Sequence, residues 1–275
     1  MFKKRRKVEQ SLKATLERFD SLVKELAAIE EGTLRFKSRL LSVSEIAAQY
    51  YCEKKVELSH IRGEEETPEM REGKVAHELL LKDAVKAERE EILRRIFSGK
   101  PTLVREMPLL GKYNNVIIAG VADALLFYQG SPILLVEHKF TGKPIPFRDH
   151  HVQASLYCHL LDLMGWDVSQ MKYALVIARP ECRNDKKLID IPRYIVRHLG
   201  EDPPRFKLEA GSANIYINNY DSRKTVADLD WALNFWIGKR PAVPTRKSGK
   251  CVVCSHNGVC EFSLSKRSIE TRLAA

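Results

Sequence analysis

Leu12, Leu16, Phe19, Val23 and Leu26 recur at alternating spacings of four and three, which predicts an amphipathic helix over about residues 8–31. So short a stripe is expected to lie against the main body of the protein, with a self-associating arm as the alternative. Ser42-Val43-Ser44-Glu45 has capping-box spacing and opens a second helix through Ile46, Ala47, Tyr50 and Tyr51, with Cys52 near its end. Thr67-Pro68-Glu69 is another start signal, for a long helix through Gly73, His77 and Leu80 that Ser98-Gly99 would stop.

Strand-like runs follow at 102–110, 115–128 and 132–140, the last two joined across Gln129-Gly130 as a hairpin. Ile133-Leu134-Leu135-Val136 is apolar without alternation, the pattern of a strand covered on both faces, so helices should flank the sheet. A helix from about Phe147 to Leu163, a strand over 172–177, and a helix after Asp221 carrying Val226, Leu229, Leu233 and Trp236 complete a mixed α/β layer structure. Pro241 and Pro244 then lead into a cysteine-rich tail. The expected division is a basic tail and helix over 1–40, a core over 41–245, and a terminal segment over 246–275.

Composition adds constraints. With 275 residues, 44% apolar and 30% charged, the chain can bury one substantial core. A net charge of +10 suits a polyanionic partner, since Lys and Arg neutralise phosphates and release counterions, although a basic surface can also serve only solubility. No stretch has signal-peptide or membrane-span character, so a cytoplasmic protein without a membrane partner is expected. In a reducing compartment, the six cysteines are read as metal ligands, catalytic groups or core residues rather than disulfides.

Glu137-His138-Lys139 ends the buried strand, and residues two apart on a strand share a face, so a carboxylate and an ammonium emerge together. If the hairpin turns about Gly130, Asp123 lies opposite Glu137, close enough for both carboxylates to share a divalent cation. A one-residue slip would send Asp123 to the other face. Carboxylate-held metal is what phosphodiester hydrolysis needs: charge on the phosphoryl oxygens and an ionised water near neutral pH. Lys139 could orient that water or neutralise developing charge. Taken alone, Glu-x-Lys is equally a surface ion pair.

The order Gly73-x-x-x-His77, Gly120-x-x-Asp123, Glu137-x-Lys139 and Gln153-x-x-x-Tyr157 resembles the PD-(D/E)xK nuclease superfamily. More narrowly, over roughly residues 41–262, it is similar to the CRISPR-associated RecB-like exonucleases, relatives of the RecB and AddB nuclease domains and of exonuclease V. The resemblance implies a restriction-endonuclease-like mixed sheet flanked by helices. It also implies a manganese or magnesium ion held by His77, Asp123, Glu137 and the main-chain carbonyl of His138, with Lys139 as the catalytic lysine and Gln153 and Tyr157 bordering the site. Glu106 is a weaker candidate for a further carboxylate near the metal.

Cys251-x-x-Cys254-x5-Cys260 supplies three thiolates, and a fourth ligand comes from either His256, giving a zinc site, or the distant Cys52. The resemblance selects Cys52 and implies a [4Fe-4S] cluster bound by Cys52, Cys251, Cys254 and Cys260, a clasp across nearly the whole core. Cys158 and Cys182 are left over, Cys158 as a small core residue. The implied activity is metal-dependent exonucleolytic cutting of DNA, single-stranded by preference, in CRISPR spacer processing alongside the adaptation proteins. DNA repair is the alternative pathway. A nucleic-acid-binding module with inactive motifs, and a scaffold docked through the N-terminal helix, are the alternative functions.

Overall fold

The computed structural model describes residues 2–63, 86–179, 181–182, 185, 188, 190–198, 207–210 and 213–265. The N-terminal helix α1 (Phe2–Ala27) begins earlier than its apolar stripe, and its Leu16 and Phe19 pack against the core. Arg89 reaches back to it, bonding Asp20 at 2.8 Å while its guanidinium lies 4.2 Å from the centre of the Phe19 ring. The stripe is therefore used within the chain.

After a 3-10 turn (Arg35–Lys37) and the short strand β1 (Leu41–Ser42), α2 (Val43–Arg62) starts on the expected capping box. Ser42 Oγ accepts the Glu45 N–H at 3.1 Å, and the Glu45 carboxylate accepts the Ser42 N–H at 2.8 Å. The helix does not end near Cys52, as the sequence suggested. It breaks there, with Cys52 extended at φ −170 and ψ 117, and resumes to Arg62. The long helix expected from Thr67 falls mostly outside the described residues. Its last part, α3 (Arg89–Phe97), is a separate helix, because residues 86–88 are not helical and Glu88 is extended. It ends at Ser98 as predicted, with Gly99 at φ +83.

Among the described residues, the sheet has seven strands. Strands β2 (Thr102–Tyr113), β3 (Val116–Tyr128) and β4 (Ser131–Phe140) form a meander. Both of its turns use positive φ at two successive residues, Gln129-Gly130 as expected and Asn114-Asn115, where the sequence reading had simply begun a strand. Helix α4 (Arg148–Leu163) crosses to β5 (Lys172–Ala178), which pairs in parallel with β4. Three elements that the sequence pattern does not predict follow: α5 (Ile191–His198), and the strands β6 (Lys207–Ala210) and β7 (Ala213–Asn219), which extend the sheet beyond β5. Helix α6 (Ser222–Trp236) is capped by Asp221, and a five-residue helix, α7 (Ser248–Val252), opens the cysteine segment.

Two apolar clusters cover the two faces of the sheet. The larger joins Leu135, Leu125 and Phe127 to α2, α4 and α6, while the smaller joins Leu134, Val136 and Ala124 to Ile191 and Ile195 of α5. The unbroken apolar run in β4 thus divides between two cores, as a strand covered on both faces requires. Among the described residues, no helix is long and apolar enough to cross a membrane.

Candidate active site and cysteine pocket

The candidate site lies where β3 and β4 part. On one edge β3 pairs with β2 along nearly its whole length; on the other, β1 pairs it at Ile118 and Ala119 and β4 at Ala124–Tyr128. Next to the turn the pairs are Tyr128↔Ser131 and Phe127↔Pro132; a register shift between Leu126 and Phe127 then gives Leu126↔Leu134, Leu125↔Leu135 and Ala124↔Val136, and continuing these sets Asp123 opposite Glu137. Beyond Val136 a carboxylate takes over from the ladder: Asp123 Oδ2 accepts the His138 N–H at 2.7 Å. β4 meanwhile stays paired with β5 through Phe140.

From Glu137 a polar line runs across to α4. Lys139 Nζ lies 2.9 Å from Glu137 Oε1 and donates to Gln153 Oε1 at 2.8 Å, and Gln153 Nε2 donates to the Tyr157 hydroxyl at 3.1 Å. The i, i+4 spacing on α4 brings Gln153 and Tyr157 onto the face that meets Lys139. Glu137 is 1% exposed, and its Oε2 has no hydrogen-bond partner among the described residues. Burial first, and then the Asp123 charge, push the Glu137 pKa up to about 8. Burial works against the Lys139 ammonium, yet Glu137, Asp123 and Asp149 outweigh it and raise its pKa. Lys139 is therefore a fixed cation whose side chain keeps 22% of its surface open to solvent. Burial and Glu137 raise the Tyr157 pKa as well, so its phenol stays protonated.

Gly120 makes room for this line. A Cβ there would lie 2.6 Å from Tyr157 Cε1 and 3.0 Å from Val43 Cγ2. Gly120→Ala is expected to cost about 1–3 kcal/mol in denaturant unfolding by forcing the Tyr157 ring aside; a loss under about 0.5 kcal/mol would mean that the ring yields freely.

Of the expected metal ligands, His77 lies outside the described residues. His138 brings its main chain to the site, and its buried imidazole has no hydrogen-bond partner among the described residues, with Nδ1 at 3.6 Å from Asp123 Oδ2. Glu106 sits at φ +48, between the pairs Arg105↔Ala124 and Met107↔Ala122, and is exposed in a pocket with Phe19 and Arg89. Asp149 was not anticipated. It lies in the first turn of α4, its Oδ1 is buried without a hydrogen-bond partner among the described residues, and its charge acts on Lys139, Tyr51 and Lys250.

The four expected cysteine ligands line one narrow cavity of about 20 Å³, Cys52 from the break in α2 and Cys251, Cys254 and Cys260 from the terminal segment. Interactions from that segment hold the break open. Lys250 Nζ donates to the carbonyls of Tyr50 at 3.3 Å and Tyr51 at 2.8 Å, Tyr51 Oη donates to the Lys250 carbonyl at 3.3 Å, and the Thr245 N–H meets Cys52 Sγ at 3.4 Å. His256 is buried with Nε2 3.0 Å from the Ser59 hydroxyl, so its ring is already engaged on α2. Among the described residues, no three His, Cys, Asp or Glu side chains are grouped to hold a single metal ion. Cys158 is fully buried in the core, as expected.

No family model matches the chain, and no curated protein matches it. Among solved structures, the crystal structure of SSO0001 is similar, with a TM-score of 0.45 and 17% identity over 93% of this chain and 96% of that one.

Proposed function

We propose that the protein is a divalent-metal-dependent nuclease of the PD-(D/E)xK type with a restriction-endonuclease-like core, hydrolysing phosphodiester bonds of DNA, single-stranded by preference and from an end. The supporting observation is the line Glu137–Lys139–Gln153–Tyr157 set against Asp123, with a buried carboxylate oxygen of Glu137 left without a partner. Two carboxylates on parting strands suit a hard cation such as manganese or magnesium. They would hold it together with His77 and the His138 main chain. Such an ion would supply charge to the phosphoryl oxygens and lower the pKa of water.

The remaining roles belong to the chain. Lys139 carries a permanent positive charge to the open side of the site, where it would orient water or meet the developing charge. Gln153 and Tyr157 are positioning residues that hold the ammonium. Cys52, Cys251, Cys254 and Cys260 line one cavity, and the sequence resemblance favours a [4Fe-4S] cluster there; when bound, the cluster would supply a clasp between α2 and the terminal segment. A cytoplasmic setting, CRISPR spacer processing and association with the adaptation proteins belong to the same proposal and rest on the sequence resemblance.

Cutting of labelled single-stranded DNA by wild type with manganese or magnesium, and its absence with chelator or in Asp123→Asn, tests the reading. A folded wild type that binds DNA and cuts none of it would sink it. The pH dependence of cation binding is a further check. Without cation, the Glu137 pKa of about 8 lies above its ordinary 4.5. Its contribution to stability is therefore fully present below about pH 4.5 and is lost as the pH rises through 8. A cation takes the deprotonated form, so manganese should raise the melting temperature more at pH 8.5 than at pH 6.5. Glu137→Gln should remove that difference, whereas equal increments in wild type at both pH values would refute a shared carboxylate site.

A further inference from the structure

A second concavity, of about 590 Å³, runs along the break in α2 between the start of α4 and the segment entering the cysteine tail. It shares Tyr51, Cys52, Pro244, Thr245 and Lys250 with the cysteine cavity. Arg148, Arg246, Lys247 and Lys250 line it, and no carboxylate does so among the described lining residues. The pockets beside it differ in this respect: one carries Asp221 and Asp228, another Glu88, Glu91 and Glu106. Aromatic rings interleave with the cations, notably Tyr50, Tyr51 and Trp231. Trp231 is 39% exposed, with the Arg240 guanidinium 4.0 Å from its ring centre and Tyr50 at 5.2 Å.

Arg148 is paired with Asp228 at 2.9 Å and lies 4.8 Å from the Tyr50 ring centre, and Lys250 lies 4.2 Å from that of Tyr51, so Arg246, Lys247 and the exposed part of Trp231 are what the groove offers to a flexible polyanion with stackable bases. Duplex DNA keeps its bases stacked on one another and has no use for such a ring. The groove adjoins the candidate active site through Arg148, which starts α4, the helix that carries Gln153 and Tyr157.

We propose that this groove holds a single strand of nucleic acid, its phosphates on Arg246 and Lys247 and a base against Trp231, and leads it to Glu137 and Lys139. The direction of travel rests on the nuclease reading; the binding does not. Because Cys52 and Lys250 form part of the groove wall, the cysteine pocket shapes the strand's path as well as clasping the fold.

Binding of labelled oligothymidylate to the full-length, cluster-loaded protein, with no divalent cation added, tests the proposal independently of cutting. Arg246→Ser with Lys247→Ser, both exposed, should raise Kd at least tenfold in 0.1 M salt and flatten the salt dependence by about 1.4 log units per decade. Arg94→Ser with Arg95→Ser removes the same charge from the far helix α3 and should change Kd less than twofold. Of the three tryptophans, Trp166 and Trp236 are buried, so quenching of indole emission on binding should disappear in Trp231→Phe. Equal weakening by the two double variants, quenching that survives Trp231→Phe, or no binding by wild type would each overturn the groove. A wild type that cuts DNA while the groove variants bind normally would remove the groove and leave the nuclease. One that binds as expected but cuts nothing with manganese would remove the nuclease and leave the groove.

Discussion

Lys139→Met is expected to slow metal-dependent cutting of single-stranded DNA by on the order of 10²–10³-fold, the usual effect of removing one preorganised cation or donor from a charged transition state. The protein should still fold. In wild type Lys139 lies 2.9 Å from Glu137, so its loss leaves a buried carboxyl beside Asp123 without its cation. That carboxyl already has a pKa of about 8 and takes up a proton at neutral pH, which avoids the large cost of an unpaired buried charge. Gln153 keeps its bond to Tyr157 and so stays in position. The loss should appear in kcat with little change in KM, as for a group that acts only on the transition state. Lys139→Arg should not rescue it, because a planar guanidinium cannot occupy the space between Glu137 and Gln153 as a point charge does. Cutting within threefold of wild type, measured as single-turnover rates on labelled oligonucleotides, would exclude Lys139 from the reaction.

The parts of this site that were legible in the sequence are those set by local rules. The hairpin turn at Gln129-Gly130 is one, and the period of two that puts Glu137 and Lys139 on one face is another; the turn alone would set Asp123 opposite Val136, and a one-residue register shift between Leu126 and Phe127, which no local signal announces, brings it to Glu137. The capping box at Ser42 needs only residues within one helical turn. What escaped depends on distant partners. Nothing around Cys52 announces a break, since no proline or glycine stands near it; the break is held by Lys250 and Thr245, which lie 193 or more residues away in sequence. Asp149 looks like an ordinary first-turn acid until α2 and the terminal segment close around it. The β7 strand was readable, because Ala213, Ile215 and Ile217 alternate inward, but its polar Asn residues masked the pattern. Glu106 shows the opposite error, a carboxylate near the right strand whose backbone irregularity at φ +48 turns it into another pocket.

Glu53→Ala is expected to destabilise the protein by about 3–5 kcal/mol, the range for breaking a buried ion pair by removing one partner. Glu53 is fully buried and gathers four donors: Arg240 Nη1 at 2.5 Å and Nη2 at 2.6 Å, the Val243 N–H at 2.8 Å and Gln49 Nε2 at 2.8 Å. Gln49 in turn accepts the Trp236 indole N–H at 2.7 Å, so the network joins α2, α6 and the strap entering the cysteine segment. Alanine would leave the Val243 N–H without its acceptor and a mostly buried guanidinium without its counter-charge, holding only the Trp231 carbonyl at 2.9 Å and the Pro241 carbonyl at 3.3 Å, whereas Glu53→Gln keeps part of the geometry and should cost less. By contrast, Glu90→Ala removes the exposed partner of Arg94 on α3 and should cost about 0.5 kcal/mol or less. The consequence reaches the cysteine pocket, because Val243 stands two residues before Thr245, whose N–H meets Cys52 Sγ. Iron retained per chain after anaerobic purification should therefore fall in Glu53→Ala, in parallel with the denaturation midpoint. A variant that loses stability but keeps full iron would mean that the clasp and the pocket are independent, and that Glu53 serves only the packing of α2 against α6.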